Sequence, residues 1–145
     1  MCIRDRNLTV QGLGDPNYAY SLLKQYKGEW EFDTNWKMIF GHPKKAGWIK
    51  AIQEAQQTVQ KGLKLDCPIL VMSSNKSFPE TETWHEEYMT SDIVLDVQDI
   101  QKYGEKLGDK VTRDTIPNGI HDLILSQKPY RNDAYQTIFE WLKKQ

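Results

Sequence analysis

From residue 46 to residue 61 the chain reads AGWIKAIQEAQQTVQK, and apolar Trp48, Ile52, Ala55 and Val59 recur at alternating spacings of four and three. That recurrence places them on one stripe of an α-helix, and Gly62 supplies the stop. The pattern changes in LKLDCPILVMSS, where Ile69, Leu70, Val71 and Met72 follow one another without a polar break. Such a run predicts a strand covered on both faces, as in a parallel sheet, with Pro68 at its start where a missing donor is tolerated. Residues 73–91 are polar and acidic and read as an inserted loop. SDIVLDVQDIQKYGEKLG then predicts a second helix, with Asp96 as N-cap, Asp99 in its first turn, Val97, Ile100 and Leu107 on the buried side and Gly108 at its end. KVTRDTI is a second strand, and residues 129–144 a closing helix with Ala134, Tyr135, Ile138, Phe139 and Leu142 inward.

Residues 7–45 lack a sustained period. A short helix is expected over 16–26, with Asp15 as cap and Pro16 at the first helical position. Trp30, Phe32, Trp36, Ile39 and Phe40 then predict a meander packed over a larger body. Helix, strand, loop, helix, strand, loop, helix is the order of βαβ units, so the fold class is α/β with a parallel sheet and flanking helices. Two strands do not make a stable doubly covered sheet, so further strands are expected upstream. The opening MCIRD, followed by Arg6, resembles a translated sequencing adapter; residues 1–6 are set aside as a non-native leader, and the chain is expected to be a C-terminal portion.

Composition narrows the classes. The 145 residues suit one compact domain, and 39% apolar content with five Trp and seven Tyr argues against disorder. A formal net charge of −1 gives no electrostatic case for nucleic acid or an anionic membrane. No apolar run approaches the roughly 20 residues of a transmembrane segment. Cys2 and Cys67, without CxxC spacing, suggest neither disulfides nor zinc, and a reducing, cytoplasmic setting follows. Cys67 is expected as a small buried residue.

In open α/β sheets, chemistry gathers in the loops beyond the carboxyl ends of strands. The loop after CPILVM runs to Asp92, and the loop after VTRDTI contains His121. An acid after one strand and a histidine after the next are the downstream two-thirds of a triad ordered Ser, Asp, His.

The stretches AGWIKAIQEAQ, CPILVMSS, SDIVLDVQDI, VTRDTIPNGIHDLILS and IFEWL, in this order, resemble the C-terminal part of an α/β-hydrolase of the serine aminopeptidase (S33)/monoacylglycerol lipase, lysophospholipase-like type. The segment YKGEW…W resembles the cap-to-core region of that family. The resemblance implies a cap- or lid-like segment over 7–45 and part of the hydrolase core over 46–145. It implies a parent serine hydrolase cleaving carboxylic esters, with a small-molecule ester or lipid-like substrate and no cofactor or metal. Within it, His121 in the turn Gly119–Ile120–His121 is the base, and Asp92 the carboxylate that orients it. Asp96, four residues later, is the rival, although N-cap duty already explains it. Asp122 is expected to be solvated and Asp99 to belong to the first helical turn. His85 is expected on the surface of the insertion, since TWHEEYM is not HExxH, and His42 in a turn.

The departure from the family is a missing nucleophile. No G-x-S-x-G surrounds Ser21, Ser73, Ser74, Ser77, Ser91 or Ser126. The elbow and oxyanion loop of this fold precede the acid and the histidine, so they are expected upstream, and this chain alone is expected to be inert. Two alternatives remain open: a non-catalytic binding module that keeps the hydrolase fold, and an α/β-hydrolase acting on amide or peptide bonds.

Overall fold

The computed structural model describes residues 9–10 and 16–145. The leader, Cys2 and the Asp15 cap expected above lie outside the described residues. Among the rest, mixed α/β architecture is present. Strands β1 (Thr9–Val10) and β2 (Lys44–Lys45) form a small antiparallel pair. Strands β3 (Ile69–Ser74) and β4 (Val111–Ile116) pair in parallel, from Ile69 opposite Val111 to Ser74 opposite Ile116. Four helices accompany them: α1 (Asn17–Leu22), α2 (Ala46–Lys61), α3 (Val97–Gly104) and α4 (Lys128–Leu142).

The crossover between the two parallel strands contains α3, which lies against β3 at close range. A Cβ on Gly104 would stand 2.8 Å from Cγ1 of Val71, so only glycine lets helix and strand approach this far. Asp96 caps α3 as the sequence predicts, its side chain accepting the amide of Gln98. Helix α2 has the expected bounds, closed by Gly62 at φ 99°.

Several expectations need correcting. Helix α1 ends at Leu22 rather than reaching residue 26, and Pro16 occupies the N-cap position. The chain turns back there: the Trp30 amide donates to the Leu22 carbonyl at 2.9 Å and the Lys24 amide to the Trp30 carbonyl at 2.8 Å, which removes the helical partners. On α4 only Ala134 is buried; Tyr135, Phe139 and Leu142 face outward, and the first two stack on each other with centroids 6.3 Å apart. A sheet of two strands is too narrow to cover a wider face, and Trp141 meets its edge through a bond from Nε1 to Thr112 Oγ1. For the same reason the stripe of α2 is not buried: Ile52, Ala55 and Val59 line an open groove of about 450 Å³ opposite Ile100 and Tyr103 of α3. Cys67 is exposed, in the turn before β3.

Residues 73–91 are more than a surface insertion. They carry a 3₁₀ turn at Glu86–Met89, in which Tyr88 is fully buried and Met89 nearly so. Tyr88 receives the Thr81 amide on its hydroxyl at 2.8 Å, and α1 packs against this turn. With Leu22, Leu23, Val97, Ile116 and Ile120, these residues place the core at the carboxyl end of the parallel pair. No helix of the described residues is long and apolar enough to cross a membrane.

Candidate active site

Asp92 sits where the loop after β3 folds back beside its own beginning. Its amide donates to the Lys76 carbonyl at 3.0 Å, and its carbonyl accepts the Phe78 amide at 3.0 Å. The side chain is 1% exposed. A buried carboxylate needs every lone pair it can fill. Oδ1 accepts the amides of Val94 and Leu95, each at 2.8 Å, and Oδ2 faces Nδ1 of His121 at 2.9 Å.

His121 is aimed by the turn that ends β4. Asn118 takes a positive φ of 59°, a conformation asparagine tolerates, and its amide donates to Asn75 Oδ1 at 3.0 Å. The Gly119 amide closes the turn on the Ile116 carbonyl at 3.1 Å, and the buried Ile120 donates its amide to Ser126 Oγ at 3.0 Å. A side chain at 119 would meet Leu123 Cδ2 at 2.6 Å. The backbone that carries His121 is thus fixed by bonds at residues 118–120, and the ring itself by its bond to Asp92. The imidazole stays 27% exposed, with the Tyr18 ring edge-on at 6.1 Å.

The two partners move each other's titration. Burial alone would raise the Asp92 carboxyl, but the His121 bond and the amides of Leu95 and Val94 outweigh it and hold the group below its ordinary range. For His121 the bond to Asp92 is the largest influence and raises its pKa against burial, which opposes the charged ring. A neutral imidazole that donates from Nδ1 to Asp92 carries its lone pair on Nε2, and no described residue bonds that atom. Chemically this is an oriented base whose conjugate acid is stabilised in advance.

Of the other residues singled out, Asp96 stays at its cap and makes no bond to His121, and Asp99 lies in the first turn of α3. Asp122 is not simply solvated. Its Oδ2 accepts the phenol of Tyr18 and, at 3.1 Å, the ammonium of Lys37. His85 is half-buried rather than fully on the surface, its ring 5.4 Å from Phe78 and 5.8 Å from Tyr88. His42 is exposed, 3.3 Å from the Trp36 carbonyl. Among the described residues no serine hydroxyl bonds His121, and no group of three or more His, Cys, Asp or Glu could hold a metal ion. Tyr18 and Lys37 escaped the sequence reading, since nothing local marks residues that meet Asp122 from 104 and 85 positions away. No family model matches the chain, and comparisons with curated proteins and with solved structures return no match.

Proposed function

We propose that the Asp92–His121 pair is the acid and base of a serine hydrolase of the α/β-hydrolase class, acting on small carboxylic esters of lipid-like character. The reading is carried by one observation: a buried carboxylate, fixed by two amides, orients Nδ1 of a half-buried imidazole whose Nε2 bonds none of the described residues. Nε2 takes the proton of a serine hydroxyl as that oxygen attacks the ester carbonyl. It returns the proton to the departing alcohol, and then repeats the cycle with water. Asp92 keeps the ring in the required tautomer and offsets the charge of the imidazolium. It need not itself be protonated. The placement of both groups beyond the carboxyl ends of adjacent parallel strands supports the same reading.

The proposal requires a nucleophile and oxyanion donors, which in this fold class come from a strand–GxSxG–helix unit earlier in chain order than the acid and the histidine. The experiment is to express the protein with its upstream coding sequence and assay a short p-nitrophenyl ester. His121→Ala should reduce turnover by about 10³-fold or more. Undiminished activity, or an upstream sequence without a nucleophile elbow, removes the proposal.

A further inference from the structure

Two carboxylates act on the imidazole: Asp92, bonded at Nδ1, and Asp122 on the adjoining residue, through its charge. The second is occupied elsewhere. Its Oδ2 takes both the Tyr18 phenol from α1 and the Lys37 ammonium from the meander, at 3.1 Å for the latter. Lys37 lies 5.3 Å above the Tyr18 ring and 5.9 Å from that of Phe32, which fixes the ammonium over the phenol it shares a partner with. The Tyr18 ring in turn stands edge-on to His121 at 76°.

The same stretch of chain grips the histidine loop at two further places. Trp30 Nε1 donates to the Leu125 carbonyl at 2.9 Å. Glu29 Oε2 accepts the Lys128 amide at 3.1 Å and the Arg131 guanidinium at 3.2 Å, with Arg131 packed over the Trp30 ring at 4.7 Å. Residues 18–37 therefore hold the histidine loop and the first turn of α4 from one side.

We propose that Tyr18 and Lys37 are positioning residues that sequester the Asp122 carboxylate, so that Asp92 alone orients the imidazole and Nε2 stays free to receive a proton. The inference rests on the reading of Asp92 and His121 as an acid–base pair. A carboxylate released next to His121 would compete for the ring and would occupy the nitrogen that has to act as base. Lys37 also offsets a negative charge that would otherwise favour the imidazolium. The charged groups that act on the titration of His121 are then Asp92 from the acid loop, Asp122 from its own loop and Lys37 from the meander, with Tyr18 from α1 acting through its bond to Asp122.

The test reads the ring directly, by NMR pH titration of the His121 imidazole in the 145-residue chain. Tyr18→Phe and Lys37→Gln should each shift its midpoint to higher pH, and Asp122→Asn should shift it to lower pH. In the Asp122→Asn background, Tyr18→Phe should have no further effect, because the carboxylate it restrains is gone. The Lys37→Gln and Asp122→Asn shifts follow from charge alone, so the deciding variant is Tyr18→Phe: a purely structural latch would leave its midpoint at the wild-type value, and that result overturns the proposal. So does an undiminished Tyr18→Phe shift in the Asp122→Asn background. The titration needs no turnover, so it separates from the ester assay. Shifted midpoints with an active His121→Ala parent would sink the hydrolase reading and with it the catalytic purpose of the sequestration, leaving only the restraint of Asp122 by Tyr18 and Lys37. Unmoved midpoints with an inactive parent would sink this one alone.

Discussion

Oδ2 of Asp92 stands 2.9 Å from Nδ1 of His121 while Oδ1 of the same carboxylate is pinned by the amides of Val94 and Leu95 at 2.8 Å. The carboxylate cannot turn towards or away from the ring without breaking bonds to its own backbone. The imidazole hangs from the fixed turn at Asn118–Gly119 and is held by its single bond to that carboxylate. The pair is thus held in one geometry, as the proton-transfer role proposed for it would require.

Asp92→Asn tests that arrangement twice. An amide has one acceptor oxygen and must either turn its NH₂ towards two backbone donors or towards the ring, where it forces the wrong tautomer. Under the proposed function, ester turnover by a protein that includes the nucleophile should fall by about 10⁴, the loss for the same exchange in a serine protease triad. In the 145-residue chain the folded state should lose about 1–3 kcal/mol, measured by urea unfolding. Retained stability would mean that the amides of Val94 and Leu95 do not depend on this carboxylate.

The pair also predicts a pH window. The pKa of His121 is raised above its ordinary 6.5, so the stability it contributes is full below that value and is lost as pH rises through the raised folded value. Asp92 is lowered below its ordinary 3.8, so its contribution is present above that value and disappears as pH falls through the lower folded value. Both contribute fully only between the two ordinary values. The stability difference between the wild type and His121→Gln should be largest near pH 5 and shrink towards pH 9. A difference that grows with pH would reverse the assigned direction.

Tyr88 carries a separate expectation. Its hydroxyl accepts the Thr81 amide at 2.8 Å and contacts Thr81 Oγ1 at 2.9 Å, in a side chain with no exposed surface. Tyr88→Phe keeps the volume and strands the amide, so it should cost about 1–3 kcal/mol in thermal or urea unfolding. Tyr88→Ala should cost more, about 3–5 kcal/mol, since it also empties the space against Phe78 and Trp84.

What the sequence made legible follows interaction range. The period of Trp48, Ile52, Ala55 and Val59 with Gly62 behind it gave the bounds of α2, because both signals are local. Burial of that stripe was not legible, since it depends on how much sheet lies opposite, and the same shortage turns Tyr135 and Phe139 outward on α4. The parallel pairing followed from the alternation of helices and strands. The choice of Asp92 over Asp96 as the neighbour of His121 came from its place at the loop's end and from the family resemblance. Tyr18 and Lys37 beside Asp122 were not legible, because their meeting depends on how the meander closes over the histidine loop. Cys67 misled through its residue type: its small apolar side chain suggested burial, but it falls in a turn.

Ser91 offers the last test, on the residue preceding the acid. Its hydroxyl is buried and is the one such side-chain oxygen without a hydrogen-bond partner among the described residues. A buried hydroxyl lacking a partner opposes folding by its desolvation, whereas a methyl in the same space does not. Ser91→Ala should therefore stabilise the chain, by up to about 1 kcal/mol, raising the urea midpoint with an unchanged slope. The His121 titration should stay where it is, because the Ser91 hydroxyl touches neither member of the pair. A destabilised Ser91→Ala would show that the hydroxyl has a partner after all. If the His121 midpoint moved as well, that partner would belong to the acid loop, and Asp92 would be held by more than its two amides.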